Sequence, residues 1–277
     1  MSTLGTFRNP AVAGRTDVSE IGDLRSAFGT VPERGVSAAE STDVILAGSF
    51  VLFESPRHDM TILSMISSRS LSPNIRHMKG NIMPPASSTM LPLGTIAPEF
   101  ALEAAAGGRH RMADCMGAKG LLVVFMCNHC PYVKHIDEEL ARLGEDCRAM
   151  GIGMVGIMSN DIENYPDDAP QRMVETAKAC GWSFPYLFDA DQSVAKAYTA
   201  ACTPDFFLFD SEKALVYRGQ LDDSRPKSDI PVDGRDLRAA LSALASGDPI
   251  PSDQKPALGC GIKWVPGEAP AYMDGVS

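Results

Sequence analysis

"LLVVFMCNHCPYVKHIDEEL", residues 121–140, decides how the rest of the chain is read. Six apolar residues, 121–126, have the form of a buried parallel strand. They run into Cys127-Asn128-His129-Cys130, and an amphipathic run follows. Val133, Ile136, Leu140, Leu143, Cys147 and Met150 are spaced 3-4-3-4-3, which is one face of a helix. Asp137, Glu138 and Glu139 fall in its first half and Arg142 and Arg148 in its second, as the helix dipole favours. Gly151 is its expected stop. Two cysteines two residues apart at a strand-to-helix junction admit three readings: a redox pair, half of a metal site, or two buried small hydrophobes.

Outward from this stretch the pattern alternates. Residues 153–159 read as a second strand, and Asp168-Ala169-Pro170-Gln171 reads as a capping box opening a helix to about Cys180, with Gly181 as stop. "PYLFD" is a strand, and Asp191 caps a short helix through Tyr198. Residues 206–210 and 214–220 form a hairpin across Ser211-Glu212-Lys213. Leu237, Leu241 and Leu244 mark a last helix ended by Gly247. The order is β-α-β-α-β-α-β-β-α after an N-terminal hairpin-like piece. It predicts an α/β domain with a central mixed sheet and helices on both faces.

This domain is expected over residues 90–250. Residues 1–89 have four Phe but neither Trp nor Tyr, and 61–90 are rich in Ser. They read as a disordered or incidental extension, with "VILAGSFVLF" (44–53) as an isolated apolar patch. Residues 251–277 read as an extended tail over the surface.

Of the 277 residues, 1–90 carry eight basic and eight acidic side chains, so the remainder carries the whole net charge of −10. Such an acidic globule does not bind nucleic acid or anionic membrane non-specifically. No apolar run reaches the length of a membrane span. The N-terminus lacks the apolar core of a secretory signal; its early arginines give it a faint transit-peptide flavour. Seven irregularly spaced cysteines do not form a disulfide framework, and a reducing, cytoplasmic setting with one special pair fits better.

Within the motif, Cys127 is the expected nucleophile. If the helix starts at or just after it, unpaired backbone N–H groups and the helix dipole would stabilise its thiolate. Cys130 would be the resolving thiol, and His129 would add positive charge. A CxxC at this position in a βαβ context favours redox chemistry. A zinc site wants four ligands, and Cys127, His129 and Cys130 would need completion from Cys202, Cys260 or His135. No metal and no organic cofactor is expected. Cys115, Cys147 and Cys180 read as core or surface thiols, Trp182 and Trp264 as packing residues.

Thr203-Pro204 stands immediately before a strand. A strand, CxxC at a helix start and Thr-Pro before a hairpin resemble the thioredoxin fold. In that fold the proline is cis and its loop lies against the disulfide, touching substrate. "GTIAPEFALEAAAGG" (94–108) resembles the opening of the peroxiredoxin, or AhpC/TSA, branch. CNHCPYVK and GCGIKW resemble its thioredoxin-like members, over about Met90 to Trp264. The resemblance implies a thiol–disulfide oxidoreductase. Its couple would be Cys127 and Cys130, with Thr203 and Pro204 shaping the groove and His129 modulating the thiols. Cys202, beside Thr203, reads either as a third redox thiol or metal ligand or as a small buried residue, and Cys260 either as a distant resolving thiol or as an inert one. Its partners would be a disulfide substrate and an external dithiol donor. A peroxiredoxin-like peroxidase and a metal-binding or non-catalytic module are the alternatives.

Two departures shape these expectations. The peroxiredoxin P-x-x-x-T-x-x-C pattern fails in both registers, at Val123 and Cys127 or at Gly120 and Val124, so peroxidase activity is expected to be poor. The buried acid of thioredoxins is replaced by Leu121. Another group must then take the proton of Cys130. Asp222, Asp223 and Arg225 are candidates, though a solvated polar turn is the favoured reading of that segment.

Overall fold

The structure is a computed structural model and describes residues 85–274. The readings made of residues 1–84, including the 44–53 patch, lie outside the described residues. In chain order the elements are β1 Pro85–Ser87, β2 Ala101–Ala104, β3 Arg109–Arg111, α1 Met112–Cys115, β4 Gly120–Phe125, α2 Pro131–His135, α3 Asp137–Met150 and β5 Ile152–Met158. There follow α4 Pro170–Cys180, β6 Tyr186–Phe188, α5 Ser193–Ala197, β7 Cys202–Thr203, β8 Asp205–Asp210, β9 Leu215–Gly219, α6 Arg235–Ser246 and β10 Leu258–Gly261.

Seven strands form a mixed sheet in the order β3-β2-β6-β5-β4-β8-β9. Its centre is β4, parallel to β5 on one side and antiparallel to β8 on the other. Every residue of β4 is buried, which explains its unbroken apolar run. Successive side chains along β4 enter opposite cores. Leu122 and Val124 join Leu140, Leu143, Met173, Leu237 and Leu241, the inward faces of α3, α4 and α6. Leu121, Val123 and Phe125 join Met112, Val194 and Ala195 from α1 and α5. The sheet is thus covered on both faces, as the alternating sequence required.

Two helix boundaries differ from expectation. The predicted single helix after the motif is two. Ile136, at φ −116° and ψ 13°, interrupts it, although Val133, Ile136, Leu140, Leu143 and Cys147 keep one buried face across the break. The first of these helices starts at Pro131 with Cys130 as its N-cap, not at Cys127. The missing N–H of Pro131 costs nothing at that position. The stops at Gly151, Gly181 and Gly247 are all left-handed, as read.

A second, three-stranded sheet has the order β1-β10-β7, all antiparallel. Two stretches read as extension and surface tail therefore contribute strands. Pro85–Ser87 pairs with 258–260, five residues upstream of the expected boundary, and Leu258–Gly261 lies between β1 and β7. The apolar Leu258 and Ile262, separated by glycines, had offered no periodicity from which to read a strand.

Candidate functional site

The CxxC leaves the C-terminal end of β4, and the segment 159–169 leaves the C-terminal end of its parallel neighbour β5. Loops at the C-terminal ends of adjacent parallel strands meet, and such crevices are where α/β folds build sites. Asp168, read from sequence as a helix cap, turns into the motif instead. The N-cap of α4 is Ala169, with no side-chain cap bond. Asp168 is fully buried. Its Oδ1 accepts the backbone N–H groups of Asn128 (2.8 Å) and His129 (3.2 Å). Its Oδ2 accepts Asn160 Nδ2 at 2.8 Å and pairs with His129 Nδ1 at 2.6 Å. Asn128 also donates to Asp167 O and accepts from Tyr186 Oη, so the loop is pinned from three sides. Burial pushes the Asp168 carboxyl up, but the hydrogen bonds from His129 and Asn160 outweigh it and hold its pKa below the ordinary value.

This arrangement corrects the expected electrostatics of Cys127. The backbone N–H groups of the motif serve Asp168, and the helix start lies four residues away at Pro131. His129 faces Asp168 and stacks on Tyr165 at 5.6 Å, with its Nδ1 4.0 Å from the Cys127 sulfur. Burial, followed by contact with Cys130 and the charge of Asp168, pushes the Cys127 thiol well above its ordinary range; the Thr203 hydroxyl, 3.5 Å away, opposes this. Cys130 is the lower of the pair. The Cys127 and Cys260 thiols both bear on its sulfur, and the backbone N–H of Val133 in the first turn of α2 adds to them. The carbonyl of Thr203, 3.1 Å from Cys130 Sγ, accepts from it only while Cys130 is protonated, so it resists full ionisation. The two thiols of the reduced pair thus act on one another, and the surroundings hold Cys127 up and Cys130 down.

Thr203 and Pro204 lie where the sequence put them. The peptide bond between them is cis, and Thr203 touches both cysteines of the motif. Cys127 opens to a groove of about 530 Å³ bordered by His129, Lys134, Arg172, Glu175, Cys180 and Trp182. Cys202 is not part of this cluster: it packs with Ala86 and Ala257 and faces the carbonyls of Pro204 and Ala257. Cys260 is not distant. It is half-buried in β10, opposite Thr203 and in contact with Cys130.

Asp222 accepts the N–H groups of Ser224, Asp233 and Gly234, and Arg225 donates to Asp222 O, Ser224 O and Gln220, so this segment is the self-satisfied turn that was favoured. Cys115 and Cys147 are buried and pushed up by burial, to about 11 and about 12. Trp182 stacks on Phe184 and donates to Asp137 O.

As to metal, Cys127, His129 and Asp168 present ligand atoms within 4.8 Å of one another. They are three where a structural zinc site takes four. Both oxygens of Asp168 are already engaged by N–H donors.

Residues 93–218 match the model of the AhpC/TSA family. Over 130 residues the chain is 28% identical to the thiol-disulfide oxidoreductase ResA of Geobacillus kaustophilus (strain HTA426). The match covers 44% of this chain and 66% of that protein, so the chain spans just under two thirds of this curated relative. An uncharacterized conserved protein of Geobacillus kaustophilus has a solved structure that is 52% identical, with a TM-score of 0.65 over 66% of this chain and 98% of that one. A hypothetical protein of Sinorhizobium meliloti 1021 is 46% identical, with a TM-score of 0.64 over 66% of this chain and all of that one. Over residues 93–218, a little under half of its length, this chain is thus similar to the AhpC/TSA family, and it carries its CxxC at the end of β4 against a cis-proline strand.

Proposed function

We propose that the protein is a thiol–disulfide oxidoreductase whose working couple is Cys127 and Cys130. The observation that supports this best is the pair itself: two thiols in contact at the end of β4, both touching Thr203, with Cys127 alone opening to the groove. Cys127 attacks one sulfur of a substrate disulfide, forming a mixed disulfide and releasing the other sulfur as a thiolate. Cys130 then attacks Cys127, closing the internal disulfide and releasing the remaining substrate thiol. Loss of the Cys127 proton, with Cys130 as its nearest acceptor thiol, generates the attacking thiolate. An external dithiol reduces the internal disulfide again. The substrate is a protein or small-molecule disulfide, and the acidic charge speaks against nucleic acid.

The compartment we propose is the cytoplasm, on the odd number and irregular spacing of the cysteines. Among the described residues no helix is long and apolar enough to cross a membrane.

The test is a glutathione redox titration of the metal-free protein with thiol trapping and mass mapping. One reversible Cys127–Cys130 disulfide with a midpoint of roughly −200 to −270 mV is expected. Cysteines 127 and 130 that stay reduced throughout would refute the reading. One equivalent of zinc in the purified protein would favour the metal-binding alternative, for which Cys127, His129 and Asp168 are the nearest donor set.

A further inference from the structure

Three thiols, not two, meet around Thr203. Cys260 stands directly opposite Thr203 in the antiparallel pair of β10 and β7. Side chains so paired point to the same face. The carbonyl of Thr203 lies 3.1 Å from the Cys130 sulfur, and its hydroxyl lies 3.5 Å from that of Cys127. All three cysteines therefore converge on one residue, and the thiols of Cys127 and Cys260 both act on that of Cys130. The close seating of β10 is built into its sequence. At Gly259 a Cβ would stand 2.1 Å from Thr203 O, so only glycine lets the strand carry Cys260 this near. Cys202, one residue from Thr203 along the strand, is turned towards the carbonyls of Pro204 and Ala257 and does not join the group.

We propose that Cys260 is a second partner for Cys130, and that the oxidised Cys127–Cys130 pair relays its disulfide inward to give a Cys130–Cys260 bond. This rests on the couple proposed above being redox-active. The thiolate of Cys260 attacks the sulfur of Cys130. The Cys130–Cys260 bond forms as the Cys127–Cys130 bond breaks. Cys127 leaves as a thiolate and takes up the proton that Cys260 gave up. The number of disulfides is unchanged, so the step needs no further oxidant or reductant.

Local charges act on both ends of the relay: loss of the Cys130 charge and the nearness of Lys263 favour the attacking Cys260 thiolate, while burial and Asp168 oppose release of Cys127 as one. In the reduced site the contact with Cys130 is the leading reason that the Cys260 thiol is held protonated, followed by burial. Forming the outer disulfide removes the charge of Cys130 and leaves that of Lys263, which favours the Cys260 thiolate. Oxidation of the outer pair thus activates the third thiol. Afterwards Cys127 is again a free thiol facing the groove, while the oxidising equivalent is held behind β7 in a bond that ties α2 to β10.

Trypsin separates the two products. Cys127 and Cys130 share the peptide Gly120–Lys134, whereas Cys260 lies in Ala239–Lys263, because Lys255 precedes a proline. The full-length protein is oxidised with glutathione disulfide, quenched in acid, alkylated and digested. A cross-link between these two peptides, with the alkyl group on Cys127, is expected. Cys260→Ser abolishes it and returns all oxidised protein to the internal Cys127–Cys130 disulfide. Cys127→Ser slows the cross-link severalfold, because Cys130 then has no outer disulfide to pass on. Wild-type protein that yields only the internal disulfide, with Cys260 alkylated throughout, overturns the relay and leaves the couple standing. A cross-link that forms as fast in Cys127→Ser as in wild type overturns the order of the relay. Protein in which both Cys127 and Cys130 remain alkylatable overturns the couple itself.

Discussion

Replacing Asp168 by Asn tests the electrostatic account of the site most directly. The carboxylate lies within 4.8 Å of the Cys127 sulfur. At that distance, and at the effective dielectric of about 20 that suits such sites, a unit charge opposes the Cys127 thiolate by about 3.5 kcal/mol. Its four N–H partners draw off part of this field. Taking half as the lower bound leaves roughly 1.7 to 3.5 kcal/mol, or a thiolate population raised about 15- to 350-fold. A less basic thiolate is also a poorer nucleophile, with a Brønsted slope of about 0.4–0.5, so roughly half of the logarithmic gain survives in a rate. Alkylation of Cys127 by iodoacetamide near neutral pH should therefore be about 4- to 20-fold faster in Asp168→Asn than in wild type, read at Cys127 by fragmenting peptide 120–134. The amide also turns donors towards Asn160 and His129, which leaves one of them without an acceptor and costs about 1–3 kcal/mol. Because the folded pKa of Asp168 lies below its unfolded value, its stabilising contribution is complete above about pH 4 and is lost as the pH falls through the folded pKa. The stability gap between variant and wild type should narrow in that acid window. A variant that keeps its near-UV circular dichroism but alkylates no faster, or more slowly, would refute the claim that Asp168 keeps Cys127 protonated.

Three further outcomes follow from neighbouring contacts. Thr203→Val removes the one hydroxyl that favours the Cys127 thiolate, worth about 0.5–1.5 kcal/mol, so alkylation of Cys127 should slow by roughly 2- to 4-fold; an unchanged rate would dismiss that contact. Asp205, fully buried just after Pro204, is pushed by burial to about 7. The unfolded chain ionises it near pH 4 and the folded chain near pH 7, so stability should fall across that interval by up to about 4 kcal/mol and level off above it. Urea midpoints measured from pH 4 to 8 should lose this slope in Asp205→Asn, and a slope that persists would assign it elsewhere. Gly259→Ala sets a methyl group against Thr203 O, so β10 must move off β7. A loss of roughly 2–4 kcal/mol is expected, together with loss of the Cys130–Cys260 product, and a neutral substitution would show that β10 is not seated as described.

The sequence was most informative where its signals were local. The all-apolar 121–126 run, the 3-4-3-4-3 stripe and the stops at Gly151, Gly181 and Gly247 each depend on contacts within one element, and each has its counterpart in β4, α3, α4 and α6. Periodicity did not reveal the break at Ile136, because the apolar stripe continues straight across it into both helices. Nor did it reveal β10: Leu258-Gly259-Cys260-Gly261 offers little side-chain pattern, and its burial comes from two strands distant in sequence.

The site divides along the same line. Cys127, Cys130, Thr203 and Pro204 could be found because their types and spacing carry chemistry by themselves. Asp168 could not, since an acid two residues before Pro170 reads equally well as a helix cap, and what diverts it is a set of donors 8 to 40 residues away. One signal was available: β4 and β5 are consecutive parallel strands, so a polar residue in the loop after β5 must face the loop after β4. That argument would have favoured Asn160 and Asp168 over Asp222, whose segment follows the edge strand β9 and closes on its own backbone. It also explains why the thiol nearest the groove is not the more acidic one. The backbone N–H groups that would have stabilised a thiolate at Cys127 are spent on holding a carboxylate, and an N–H of the first turn of α2, that of Val133, serves Cys130. A residue outside the motif therefore adds to burial and to the pairing of the thiols in setting the electrostatics of Cys127.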